Sequence, residues 1–217
     1  MFSDNVERWR PVVNEELARL NIPLPADLIL AVIHVESRGH AGSTNDKSGA
    51  SGLMQVMPKT LDWYNKQRGE IIPLVWLRDK QHAGEQIRVG IWVLAQFWRG
   101  AYQYLRDRIA EIPTDELARI ADLFYVAGPG ATKKKLDKLS IPFFSFVEQK
   151  FPDWNALPHP RNVFAKLPEP MIWNLSELSK WLETSVLRNR RAQMGAVAVL
   201  AAAGLAYWFL IKKGKPK

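Results

Sequence analysis

Residues 26–64 read ADLILAVIHVESRGHAGSTNDKSGASGLMQVMPKTLDWY, and the fold turns on how this stretch is read. Leu28, Ile29, Ala31, Val32 and Val35 leave almost no polar face, so the first half predicts a buried helix with Asp27 in its first turn. That helix ends at Glu36-Ser37, just before Arg38, Gly39 and a polar run to Ser51. A carboxylate carried out on the end of an apolar helix sits partly desolvated. Desolvation favours the protonated form, which a general acid near neutral pH needs. Next comes Gly52-Leu53-Met54-Gln55-Val56-Met57-Pro58, with Thr60 beyond it. Glycine lets the backbone approach a ligand closely, Gln55 offers an amide donor and acceptor, and Met54 a soft apolar surface. The composition of Arg38–Ser51 predicts a loop able to wall a cleft, with a helix starting near Gly52 or Pro58.

One Glu at a helix end is by itself an ordinary solvated position; the combination carries more. Glu36-Ser37 followed by SGASGLMQVMPKT (48–60) resembles the catalytic signature of the lytic transglycosylases, enzymes of the lysozyme-like superfamily that cleave peptidoglycan. Further on, Phe124-Tyr125-Val126-Ala127-Gly128-Pro129-Gly130 is similar to the family's Tyr-Asn-Ala-Gly-Pro-Gly. The resemblance covers roughly residues 15–150. It implies a mainly α, lysozyme-like domain with Glu36 as the catalytic acid and Ser37, Met54, Gln55 and Tyr125 as substrate contacts. Tyr125 would turn its hydroxyl toward Glu36 or the substrate, and Ser37 would orient Glu36 or close its helix.

The implied reaction needs a single carboxylate. Glu36 would protonate the oxygen between N-acetylmuramic acid and N-acetylglucosamine, then take the proton of the muramic acid's own C6 hydroxyl, closing a 1,6-anhydro ring. No metal, cofactor or water takes part. The chain departs from the pattern at Val126, where the family carries Asn. Two other functions stay open. One is a lysozyme-type muramidase with Asp46 helping a water, distinguished by a free reducing end. The other is a non-catalytic wall-binding structural membrane protein.

A chain of 217 residues with 47% hydrophobic side chains holds one domain and an appendage. It has no cysteine, which excludes a disulfide framework and thiolate metal sites. The net charge of +8 suggests nucleic acid, but its distribution argues otherwise. Arg188, Arg190, Arg191, Lys212, Lys213, Lys215 and Lys217 bracket one uncharged segment, and residues 1–187 carry 23 basic against 22 acidic side chains. That pattern belongs to a membrane span and excludes nucleic acid as a partner.

The bracketed segment, Met194–Ile211, is 18 residues long without a charge. As a helix it measures about 27 Å, near a bilayer's hydrocarbon thickness, with Tyr207 and Trp208 at one end. The expected organisation is a lysozyme-like domain (1–150), a proline-rich tether (151–173), a juxtamembrane amphipathic helix at the membrane surface (174–193), a transmembrane helix (194–211) and a basic tail (212–217).

Within the domain, Val6, Trp9, Val13, Leu17 and Leu20 predict an N-terminal helix that Pro11 begins or kinks. Residues 79–105 predict a core helix with a stripe of Ile87, Ile91, Leu94, Trp98, Ala101 and Leu105; Trp92 and Trp98 belong to the core before any sugar groove. Thr114 opens a helix to Tyr125 that Gly128-Pro129-Gly130 stops. Lys133-Lys134-Lys135 reads as a solvated face, with anionic wall polymers as the alternative partner. The N-terminal residues have no apolar core of signal-peptide length, and the span comes last. A phage particle with its own membrane reconciles this with a substrate outside the cytoplasmic membrane. The expected partners are peptidoglycan glycan strands, a lipid bilayer through residues 194–211, and capsid or other virion membrane proteins. The expected location is the internal membrane of a phage virion, with the bacterial envelope as alternative.

Overall fold

The computed structural model describes residues 2–106, 117, 120–121, 124–125, 128–136, 177–178 and 180–184. The tether, the span at 194–211, the basic tail and Val126 lie outside the described residues. Among the described residues no helix is long and apolar enough to cross a membrane.

The apolar stripe from Val6 to Leu20 divides into two helices, α1 (Asp4–Glu7) and α2 (Arg10–Leu20). The chain turns between them, so Pro11 stands in the first turn of a new helix, where its missing N–H costs nothing. α2 ends at Asn21 in the left-handed region (φ 51°). The Asn21 N–H reaches the Ala18 carbonyl and the Ile22 N–H that of Leu17, which satisfies two helix-end acceptors. α3 (Ala26–Ser37) is the predicted apolar helix, with every residue from Leu28 to Ile33 buried. Arg10 joins the three helices by pairing with Glu7 and, at 2.8 Å, with Asp27 in the first turn of α3. Such partly exposed pairs set orientation more than stability.

α4 (Pro58–Arg68) begins at its proline and ends at Gly69, whose φ of 65° suits a residue without Cβ. The connection carries two short 3₁₀ turns, Leu74–Arg78 and Lys80–His82. α5 (Ala83–Arg106) is the central helix, buried at every residue from Gln86 to Ala95. Its predicted stripe packs with α1–α3 in the main core. Val89, Trp92 and Val93 face the other way, into a second core with Val56, Leu61, Tyr64, Ile72 and Leu77. At about 1.5–3 kcal/mol per large buried apolar side chain, these contacts dominate the stability. Trp98 is 1% exposed and Trp92 is met edge-on by Trp63 and Tyr64, so both belong to the core. Among the buried polar residues is Glu16 on α2, beside Gly84 in the first turn of α5 and 3.6 Å from Arg19. Burial pushes its carboxyl above the ordinary range.

Leu117, Ile120, Ala121 and Phe124 are helical and buried in the main core. Gly128 (φ 80°) stops that helix, as expected, and also begins another, Pro129–Leu136. Its carbonyl accepts both the N–H and the hydroxyl of Thr132. Lys133 is not simply solvated: its ammonium lies over the rings of Tyr104 and Phe124, while Lys134 is exposed.

The apolar face expected at a membrane surface lies elsewhere. Leu178 and Leu182 are 2% and 1% exposed within the main core, and the Arg99 guanidinium stacks over Trp181 at 4.4 Å. The helical domain offered this face an apolar seat of its own, where burial is complete and no bilayer is required. Leu178 and Leu182 therefore belong to the domain itself.

Candidate active site

The segment that leaves α3 is held on both sides. Ser37 is buried; its hydroxyl donates to the Ile33 carbonyl at 3.1 Å and accepts the Gly39 N–H at 3.2 Å. It therefore closes the helix one residue after Glu36. Arg38 (φ 52°) and Gly39 (φ 79°) then turn the chain through the left-handed region. A Cβ at Gly39 would strike the Asn5 carbonyl, so this approach requires glycine. The Gly39 carbonyl accepts from Arg8 (3.1 Å) and from the Trp9 indole (3.0 Å). The junction of α1 and α2 thus clamps the backbone just beyond Glu36, whose own side chain is half-buried at the helix end.

The polar run is more ordered than a loop. Thr44 and Val56 each form an antiparallel bridge with Ser51. Between them Asn45 organises a turn: its side-chain oxygen accepts the N–H groups of Lys47 and Ser48, and its carbonyl that of Gly49. Ser51 and Val56 exchange two backbone hydrogen bonds (3.1 and 3.0 Å) around the turn Gly52–Gln55. Gly52 (φ 80°) lies so close to its surroundings that a Cβ would meet the Leu77 carbonyl at 2.7 Å and Gln86 Oε1 at 2.8 Å.

Gln55 (φ 46°) donates the two hydrogens of Nε2 to the carbonyls of Ser43 (3.2 Å) and Gly52 (3.0 Å). Its amide nitrogen ties the turn to the segment that comes from Glu36, which leaves Oε1 as the group to offer a ligand. The Met54 side chain is fully buried against Gly90 of α5, where a Cβ would strike its thioether. The expected Met54 surface for a sugar is therefore corrected: a flexible apolar side chain beneath a turn fills the gap that Gly90 leaves. The Met54 carbonyl accepts the hydroxyl hydrogen of Tyr125. Tyr125 thus spends its donor on the turn, and its ring meets Phe97 at 5.9 Å in a T-shaped contact.

Met54, Gln55 and Tyr125 are thereby brought together, and Glu36-Ser37 is joined to them through residues 38–43. Asp46 and Asp62 are both exposed, one on the Asn45 turn and one on α4. Among the described residues no group of three or more His, Cys, Asp or Glu is placed to hold a metal ion. The residue that sequence reasoning missed is Gln86, 1% exposed at the base of the turn. Its Oε1 accepts the Leu53 N–H (3.0 Å), and its Nε2 donates to the carbonyls of Trp76 (3.2 Å) and Asp79 (2.8 Å). A polar residue beside Ile87 in the first turn of an apolar helix was its only signal.

A carboxylate at the end of a buried helix, joined by a clamped segment to a glycine turn that a tyrosine holds, fits a helical domain of the lysozyme-like class. Residues 13–140, more than half of the chain, match the transglycosylase SLT domain, and the chain belongs to that family. Members of the family are lytic transglycosylases acting on peptidoglycan, and the match supports an activity of that type here. Comparison with curated proteins returns no match.

Proposed function

We propose that the protein is a membrane-anchored lytic transglycosylase that cleaves the β-1,4 bond between N-acetylmuramic acid and N-acetylglucosamine and releases a 1,6-anhydro product. The observation that carries this reading is the linkage of Glu36, at the end of α3, to the Gln55 turn through the clamped segment 38–43. Glu36 donates its proton to the glycosidic oxygen as the C1–O bond breaks. The same carboxylate then takes the proton of the C6 hydroxyl as that oxygen bonds to C1, which restores the acid. Gln55 Oε1 receives a hydrogen bond from the sugar beside the cleavage point. Ser37, Met54 and Tyr125 act as positioning residues: Ser37 fixes the helix end, Met54 anchors the turn from below, and Tyr125 holds it from the side. Rigid placement of the reacting groups matters because small displacements are costly in rate. The exposure of Asp46 on its turn favours this single-carboxylate chemistry over the muramidase alternative.

Residues 194–211 anchor the enzyme in a bilayer, supported by their uncharged length and by the cations on both sides. Leu182 is buried in the domain's core, and nine residues, 185–193, lie in sequence between the described helix and the span. Nine residues reach at most about 30 Å, so the enzyme works close to its membrane. The basic clusters flanking the span make threading either end across a cell membrane costly. This supports a place in the membrane of a phage particle, where the enzyme opens the wall at the start of infection. Three measurements test the reading together. Purified full-length protein should release soluble muropeptides from peptidoglycan and float with lipid vesicles, whereas a chain ending at Leu187 should keep activity and remain in the aqueous phase. Virions of a source phage should contain the protein; finding it in the host envelope instead would remove the virion assignment.

A further inference from the structure

Behind the segment that leaves Glu36 lies a cavity of about 690 Å³, bounded by α1–α2, residues 40–43 and Lys80. Its volume falls among those of pockets that hold small ligands, about 300–1,000 Å³. Its lining contains Arg8, His40 and Lys80 and no carboxylate. Among the described residues neither Arg8 nor Lys80 has an ion-pair partner. Nearby acids are engaged elsewhere: Glu7 binds Arg10, and Asp79 accepts the Gln81 N–H at 3.0 Å.

Arg8 is held in place by two contacts. One terminal nitrogen donates to the Gly39 carbonyl at 3.1 Å, and the guanidinium carbon sits 4.7 Å over the Trp9 ring. An arginine held this way keeps further N–H groups in a fixed plane, a geometry that suits an oxyanion. Lys80 lays its methylenes along Gly42, which places a second cation across the opening. Between the cations the wall carries the apolar surface of Trp9, Val12 and Ala41, with Asn5 and Ser43 beside it.

This combination selects a ligand with one anionic end and an aliphatic body. A phosphate polymer offers repeated charge without an apolar body and would favour an open basic groove. We propose that this cavity binds the free carboxylate end of a short aliphatic peptide, such as the stem of peptidoglycan, on a part of the wall other than the bond being cut. The choice of peptidoglycan as the source of the peptide rests on the reading of the enzyme given above. In binding there, the carboxylate pairs with Arg8 and Lys80 while the aliphatic side chains cover Trp9 and Val12.

The test is equilibrium binding to the full chain of diacetyl-L-Lys-D-Ala-D-Ala, of its C-terminal amide, and of poly(glycerol phosphate), by calorimetry and by the indole N–H resonance of Trp9. The acid should bind and move that resonance. The amide should bind about tenfold weaker or less, as should the acid to Lys80→Glu and to Arg8→Ala. Arg8 also supports Gly39, so Lys80→Glu, whose side chain makes no hydrogen bond among the described residues, decides if Arg8→Ala fails to fold. Equal binding of acid and amide, tighter binding of the phosphate polymer, no binding at millimolar peptide, or an unaltered affinity in Lys80→Glu would each overturn the proposal. No bond is cleaved in this experiment, so its failure leaves the transglycosylase reading standing. An inactive enzyme would likewise leave the binding result readable.

Discussion

Two regions of this molecule are held by different forces. The α2–α3–α5 block is apolar, with Trp98, Ile29, Leu94 and Ile33 each under 2% exposed and packed together. Residues 37–56 bury few large side chains and instead fix the backbone through turns and named hydrogen bonds: Ser37 to Gly39, Asn45 to Ser48, Gln55 to Ser43, Gln86 to Leu53. They also concentrate the left-handed backbone, at Arg38, Gly39, Gly49, Gly52 and Gln55. Apolar contacts tolerate small shifts, whereas a hydrogen-bonded turn has one arrangement. Under the proposed function the two regions divide the work: the helical block supplies stability, and the polar segment supplies the placement that the chemistry needs.

Variants that separate placement from stability break or sharpen that division. Glu36→Gln keeps the shape of the side chain and removes its transferable proton. Wall cleavage should fall by about 10²–10⁴-fold with an unaltered melting temperature, measured by turbidity clearance and calorimetry. Clearance at the wild-type rate would remove Glu36 from the mechanism. Leu182→Ala should act in the opposite way, destabilising the fold by about 2–4 kcal/mol in denaturant titrations and leaving the turnover of the folded fraction intact. If stability is unaffected, the helix around residues 178–184 does not belong to the core. Gly52→Ala should do both. Strain at a positive φ and the clash with the Leu77 carbonyl should cost about 2–3 kcal/mol and lower kcat together.

Smaller effects follow from single polar groups. Tyr125→Phe removes the hydrogen bond to the Met54 carbonyl and should cost about 1 kcal/mol of stability, with a drop in kcat larger than that in substrate binding. The smallest effect concerns Glu16. Its folded carboxyl holds a proton more tightly than the unfolded one, so stability declines as pH rises above the ordinary carboxyl value of 4.5. Glu16→Gln should therefore be more stable than the wild-type protein at pH 7 and lose that advantage toward pH 4. A variant destabilised at pH 7 would show that the charged form is the favoured one.

The helical block was legible because long apolar periodicity survives any detail of packing; the stripe from Ile87 to Leu105 lies on α5 as read. The same periodicity around Leu178 and Leu182 announced that a face would be covered but not by what, and the neighbouring uncharged span drew the reading toward a bilayer. The helix starting at Pro58 was legible from proline chemistry. The bridges at Ser51 were not, because they rest on long-range partners in a segment whose composition says only turn. At the site, residue types pointed to Glu36 and Gln55. They could not reveal that Met54 works from below, that Tyr125 donates to a backbone carbonyl, or that Gln86 supports the turn, since each depends on a contact across 33 residues or more, or on a buried side chain.

The central claim is that one carboxylate, placed by the clamped segment and the Gln55 turn, performs both proton transfers with the sugar's own hydroxyl as nucleophile. Mass spectrometry of the products from purified peptidoglycan tests this most directly. The account predicts muropeptides lighter by one water than the corresponding hydrolysis products and lacking a reducible end. Products that all carry a free reducing end would contradict it and assign the enzyme to the hydrolases.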